Sequence, residues 1–202
     1  VKISILISTC GDGRWEALAL QRAWRSCENQ PAHEVLLMHE PHATVAEVRN
    51  ANAARATGTH LLFLDADDQI APGFILAMNE AERQGESLYT PQVQYKRGAS
   101  RTPPRFWPEC DLRYGNWMII GTVVSKQLFQ RAGGFREYEM YEDWALWATC
   151  VELGAEVTKV EGAIYIAWAS QKSRNRNKPR ATMLYHHQRI GHDIWPSLYE
   201  QP

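Results

Sequence analysis

Cysteine is scarce in this chain: Cys10, Cys27, Cys110 and Cys150 are the four among 202 residues, and no Cys-x-x-Cys spacing occurs. That argues against a zinc ribbon and a disulfide-stapled scaffold and leaves buried free thiols as the expectation. An excess of charge of either sign is also missing. Lys and Arg total 22 against 23 Asp and Glu, for a formal net charge of -1, so a dedicated nucleic-acid binder is not expected. No apolar run approaches a membrane span, and Val1-Lys2-Ile3 enters a strand pattern without the shape of a signal peptide. The expected location is cytoplasmic. No internal repeat is visible, and with 45% hydrophobic and 22% charged residues the chain reads as one soluble globular domain with a modest appendage.

What is present is a concentration of acid. Leu61-Leu62-Phe63-Leu64 reads as a buried strand and ends in Asp65-Ala66-Asp67-Asp68. Carboxylates so close repel one another, so the fold must offset them with water, basic groups or a metal ion. Oxygen-only ligands suit Mg²⁺ or Mn²⁺, ions that keep open positions for substrate phosphates. An acidic loop that merely follows a strand is the plainer alternative.

Two further units precede this strand. Residues 3–7 read as a strand, followed by the Gly11-Asp12-Gly13 turn and a helix whose apolar face carries Leu20, Ala23, Trp24 and Cys27. Residues 35–38 form the next strand, and His39-Glu40-Pro41 leads into a helix over 45–56, stopped near Gly58. After the acidic segment, Pro72 begins a helix with Phe74, Ala77, Met78 and Ala81 on its apolar side. Successive strand-helix units predict a mostly parallel sheet with helices on both faces and ligands at the strand C-terminal ends. Residues 10–13, Glu40 and 65–68 therefore belong around one crevice, a nucleotide site in physical terms.

Residues 94–116, with Lys96, Arg97, Arg101, Arg105 and Trp107, read as an irregular basic-aromatic loop that serves as a lid, an acceptor loop or a plain connector. A strand over 118–124 follows, then a short helix capped by Ser125 and closed by Gly133-Gly134. A helix over 142–153 opens with Glu142-Asp143, where the positive dipole end favours ionised carboxylates. Tyr141, Trp144 and Trp147 offer a drier wall and a stacking surface for a sugar ring, and a carboxylate there can act as general base. A strand pair over 157–167, a basic run (Lys172, Arg174, Arg176, Lys178, Arg180) and a helical tail with His186, His187 and His192 complete the chain. The basic run grips a diphosphate, meets an anionic acceptor, or is a solvated loop.

This ordered set resembles the inverting GT-A glycosyltransferases of family 2. The resemblance is carried by Val48-Arg49-Asn50-Ala51-Asn52, the strand ending in Asp65-Ala66-Asp67-Asp68, residues 121–125, Gly133-Gly134-Phe135, and Glu142-Asp143-Trp144-Ala145-Leu146-Trp147 with Gly154. It implies an α/β architecture, the GT-A (nucleotide-diphospho-sugar transferase) fold, with a mostly parallel Rossmann-like central sheet flanked by helices. Residues 1–170 would be the GT-A domain, 1–92 its nucleotide-binding half and 93–170 its acceptor and catalytic half. Residues 171–202 would add a basic loop and helical tail. The implied activity is metal-dependent, inverting transfer of a hexosyl or related sugar from a nucleotide-diphosphate donor, a UDP-sugar first, to an acceptor hydroxyl.

By that resemblance Asp143 is the base and Glu142 orients the acceptor. Thr9, Glu40, Arg49, Asp65 and Asp67 bind the donor, and Asp67 and Asp68 hold Mn²⁺ or Mg²⁺ in an Asp-x-Asp motif. Arg174, Arg176 and Trp144 contact diphosphate or acceptor, the acceptor being a glycan, a lipid-linked phosphate or nucleic acid. The chain departs from the family in three places: Ser8-Thr9-Cys10-Gly11 replaces Pro-Thr-Tyr-Asn, His39-Glu40-Pro41 replaces a double aspartate with glycine, and Ala167-Trp168-Ala169-Ser170 lacks a metal-reaching histidine, which His186, His187 or His192 would have to replace. Two rival readings remain. One is a catalytically silent sugar-nucleotide-binding module. The other is a haloacid dehalogenase-type phosphohydrolase, whose outline Leu64-Asp65-Ala66-Asp67 fits, although Gln69 stands where a threonine or valine is usual.

Overall fold

Strand β1 (Ile3–Cys10) is largely buried on both faces because it lies inside the sheet, hydrogen-bonded in parallel to β2 (Glu34–Glu40) on one side and β3 (His60–Leu64) on the other. The computed structural model describes residues 1–81, 87–97, 100–107, 111–168 and 178–199. The sheet order is β2-β1-β3-β7-β5-β8-β4, with β6 beside β5. The long ladders, β1 with its two neighbours and β5 (Ser87–Arg97) with β8 (Glu156–Trp168), are parallel; β7 (Val123–Ser125), β4 (Gln69–Ile70) and β6 (Ser100–Arg101) pair antiparallel. The sheet is therefore mixed, with its parallel character in the ladders the strand-helix units build.

Registers align the ends that matter. Cys10 pairs with Glu40 and Ile7 with Leu64, so the loops after β1, β2 and β3 open on the same edge. Helix α1 (Arg14–Ala19) runs through a π-helical turn (Leu20–Trp24) into α2 (Arg25–Cys27). Helix α3 (Val45–Arg55) starts at a reciprocal capping box: Glu47 N–H donates to Thr44 Oγ1 at 3.1 Å, and Thr44 N–H to Glu47 Oε2 at 2.7 Å. Buried Asn52 then donates to the carbonyls of Ile7 (3.1 Å) and Leu36 (3.2 Å), fastening α3 to two strands. Asn50 exchanges two bonds with the Phe135 backbone, 2.8 and 2.9 Å, and so fastens α3 to the later half of the chain.

Helix α4 (Phe74–Glu80) packs against β8, and α5 (Lys126–Arg131) begins at Ser125, whose Oγ accepts from Leu128 N–H at 3.0 Å. Helix α6 (Glu142–Glu152) is buried along most of its circumference, including Trp144 and Trp147. Helix α7 (Arg180–Ile194), followed by the turn α8 (Pro196–Tyr199), packs against it: the His187 ring lies 4.4 Å from that of Trp144, and Nε1 of Trp195, the residue between α7 and α8, donates to Glu152 Oε1 at 2.6 Å. The tail thus packs on its own domain.

Three expectations are corrected. The strand pair over 157–167 is one long strand, β8, whose pairing with β5 shifts register at Pro91/Gln92. Gly162, at φ +81°, supplies the irregularity that mimics a hairpin turn in the sequence. Residues 94–97 are not loop; they complete β5, and Pro91, lacking an N–H, sits at the register shift. The strand expected over 118–124 shrinks to 123–125, because the backbone turns at 119–122, where Thr122 N–H donates to Ile119 O.

That turn makes room for Tyr165. A Cβ at residue 121 would lie 2.2 Å from Tyr165 Cδ2, and the tyrosine, 2% exposed, has nowhere to retreat. Gly121→Ala is expected to cost roughly 1–3 kcal/mol of folding stability through overpacking. Urea unfolding checks this, and an unchanged midpoint would refute the close contact.

Candidate active site

The acidic strand end is laced to three other segments. Asp65 Oδ1 accepts from Arg49 Nη2 at 2.7 Å, the Asp67 carbonyl accepts from Arg22 Nη1 at 2.7 Å, and Asp68 accepts twice, from Trp168 N–H and Tyr165 Oη, both at 2.8 Å. Asp68 N–H returns to Asp65 O at 3.0 Å, closing a tight turn. One carboxylate oxygen from each of Asp65, Asp67 and Asp68 lies within 4.8 Å of the others, and the Asp68 carboxyl is the deepest set. Burial, then the charges of Asp65 and Asp67, push the Asp68 carboxyl well above the usual carboxylate range. A divalent cation among the three would reverse that push. The donor set is all oxygen and hard, so the residues present fit Mg²⁺ or Mn²⁺.

Behind this cluster stands Arg49, 5% exposed on α3. Its second nitrogen, Nη1, donates to Glu142 Oε1 at 2.7 Å, and Glu142 is equally buried. Burial opposes charge on the guanidinium, but Asp65, Glu142 and Asp143 outweigh it and raise the Arg49 pKa above its ordinary value. The guanidinium carbon also lies 5.0 Å from the Phe135 ring centroid. A single cation therefore joins the acidic strand end to the first residue of α6.

Asp143, the next residue, is only partly enclosed. Its Oδ1 accepts from Trp144 N–H at 2.8 Å and its Oδ2 from Asn116 Nδ2 at 3.3 Å. Burial and then the Glu142 charge raise its pKa to about 6, against a lowering by Arg49. A carboxylate so tuned at a helix N-terminus can take a proton near neutral pH. Tyr141, which precedes the helix at φ +64°, has the one left-handed non-glycine backbone among the described residues.

Of the other expected residues, Glu40 is exposed and lines an open recess of about 450 Å³ with His42, Ala43, Glu47, Val48 and Ala51. Thr9 is buried at 4%, and its hydroxyl shares a 2.9 Å hydrogen bond with His39 Nδ1. Trp144, 1% exposed with its indole N–H donating to Leu112 O at 2.8 Å, is core and not a stacking surface for a sugar; Trp147 is fully buried too. Glu142 faces Arg49 through its Oε1. His186 lies beside Glu139 and His187 against Trp144, and the acidic triad is the only metal-capable group among the described residues. Arg174 and Arg176 lie outside the described residues.

Sequence reasoning missed Tyr165, Trp168, Arg22 and Asn116. Tyr165 and Trp168 sit on the face of β8 and at its end that meet Asp68, and only the β4–β8 pairing, Gln69 with Ile166, brings them there. No local pattern announces such a contact.

The fold defined by this sheet and its helices is GT-A-like. No protein-family model matches the chain, and no curated protein matches it in sequence. Solved structures do match in shape. The S. aureus TarS 1-349 structure in complex with UDP-GlcNAc superposes with a TM-score of 0.66 at 15% identity, over 96% of this chain and 66% of that one. The complex of the same protein with UDP gives 0.62 at 16% identity, covering 96% and 65%, and TarS itself gives 0.59 at 15%, covering 99% and 44%. The chain thus spans about two thirds of the TarS 1-349 structures and less than half of TarS. At such identity the likeness establishes the fold.

Arg49→Met should destabilise the protein by roughly 3–5 kcal/mol, because it leaves Glu142 buried without its counter-charge. Adding Glu142→Leu should restore part of the loss. Denaturant unfolding of the two variants measures both effects, and a single variant as stable as the parent would contradict the bridge.

Proposed function

We propose that the protein is a metal-dependent, inverting glycosyltransferase of the family 2 type, moving a sugar from a nucleotide-diphosphate donor to an acceptor hydroxyl. The observation that carries the reading is the Arg49 bridge. One guanidinium binds Asp65 of the acidic triad and Glu142 beside Asp143, which sets the group suited to donor diphosphate and the group suited to base catalysis side by side. A UDP-sugar is the first donor to try, since the TarS structures of the same fold hold UDP-GlcNAc and UDP. The exposed Glu40 and the recess it lines offer the base a site beside the β1 and β2 ends.

Asp143 removes the proton from the acceptor hydroxyl. The oxygen attacks the anomeric carbon as the bond to the diphosphate breaks on the opposite face, so the configuration inverts. Bound at the triad, Mn²⁺ or Mg²⁺ would offset the charge growing on the leaving diphosphate. Asn116 holds Asp143 Oδ2, and Arg49 fixes Glu142 at the turn before it, so the base is pre-oriented.

Three measurements test the reading. Incubation with a panel of nucleotide sugars and Mn²⁺ should release nucleoside diphosphate, fastest with one uridine donor; no release and no binding from any donor would sink the transferase reading. Binding without release or transfer would leave the silent module. Asp143→Asn should keep donor affinity and lose transfer by about 100-fold or more. In the parent protein kcat/KM should fall as pH drops below about 6, where Asp143 gains a proton and ceases to be a base. A flat profile through that range would remove Asp143 from the role.

A further inference from the structure

Two cations lie over one indole at the edge of the acidic triad. The guanidinium carbon of Arg22 is 4.0 Å from the Trp168 ring centroid and Lys96 Nζ is 4.1 Å from it. Lys96 stands directly across the β5–β8 ladder from Trp168, and Arg22 comes from the π-helical turn, a segment far from both in sequence. Two such contacts hold a ring in place more firmly than one would. Trp168 in turn spends both its N–H groups on the acidic loop: the backbone N–H on Asp68 Oδ1 at 2.8 Å and the indole N–H on Gln69 Oε1 at 2.9 Å. Arg22 closes the circuit by donating to the Asp67 carbonyl at 2.7 Å.

We propose that Trp168, locked by Arg22 and Lys96, is a positioning residue for the cation site. It touches no cation. Its ring anchors the end of β8, so that the backbone N–H cannot swing away from Asp68, while Arg22 holds the Asp67 main chain. Together they fix the spacing of the Asp67 and Asp68 carboxylates, which without such ties would drift apart under mutual repulsion. The resemblance leads one to look at this place for a histidine that reaches the metal; this chain instead has a side chain that braces the carboxylates. The inference rests on the cation reading given under Proposed function, and a direct metal-binding measurement separates the two.

The full chain is titrated with Mn²⁺ alone, and free Mn²⁺ is read from its electron paramagnetic resonance signal, well below the thermal midpoint of each variant. Trp168→Leu should weaken Mn²⁺ binding about 10-fold or more, the usual loss when a group orienting a metal ligand is removed. Trp168→Phe keeps a ring face for the two cations and should recover a good part of that loss. Arg22→Met should also weaken binding, and by a smaller factor in Trp168→Leu than in the Trp168 background, because its hold on the ring is already lost there while its bond to the Asp67 carbonyl is not. A Trp168→Leu protein that binds Mn²⁺ within twofold of the parent, or a Phe variant no better than Leu, overturns the proposal. Should Trp168→Leu fail to fold, Arg22→Met and Lys96→Met decide it: both unchanged in Mn²⁺ affinity overturns it. A parent protein that binds no Mn²⁺ removes the cation reading itself, and this proposal with it.

Discussion

The structure depends on a buried arginine with two carboxylates. Removing a guanidinium from water is costly, and it is tolerated only where counter-charges and hydrogen bonds replace the solvent. Arg49 receives both, from Asp65 and Glu142 at 2.7 Å each, with the Phe135 ring against it. Asp65 ends β3 and Glu142 begins α6, so satisfying one side chain requires that strand end and helix start come together. The requirement works in both directions, since Glu142 is as deeply buried as Arg49 and takes its counter-charge from it.

The neighbours of Arg49 on α3 extend the same duty. Val48 is buried, Asn50 clasps the Phe135 backbone, and Asn52 bonds the middle of β1 and of β2. One turn and a half of helix thereby faces three parts of the protein at once: strands β1 and β2, the acidic strand end and the segment before α6. Asp143 gains its raised pKa from this arrangement, because the enclosure that holds Glu142 also strips water from its neighbour. The acidic triad is served from the opposite side by β8, where Tyr165 and Trp168 meet Asp68. Gly121 leaves the space that Tyr165 fills.

Much of this was legible locally. The run Leu61 to Leu64 reads as a buried strand from its apolar continuity, and the acids after it stand out because charge of that density must be offset. Ser125 and Gly133 mark the ends of α5 correctly, and the Glu142 helix was placed to within a residue. Elsewhere local pattern misled. Gly162 breaks an alternation just as a turn would, yet it serves a bulge in β8 against a parallel partner some seventy positions away in the chain. Trp144 and Trp147 look like an aromatic wall at a site, yet both are core, Trp144 packed against His187 of α7.

The amino-acid sequence by itself determined the alternation of strands and helices, the site at the strand ends, and which acids gather there, because hydrophobic period, capping and charge density act over a few residues. Tertiary structure decided who answers those acids. Arg49 lies 93 positions from Glu142, Tyr165 lies 97 from Asp68, and Arg22 lies 45 from Asp67, and no periodicity spans such gaps. Partners at that separation are chosen by the sheet order and by the cost of leaving any buried charge unpaired, and both exist only once the chain has closed on itself.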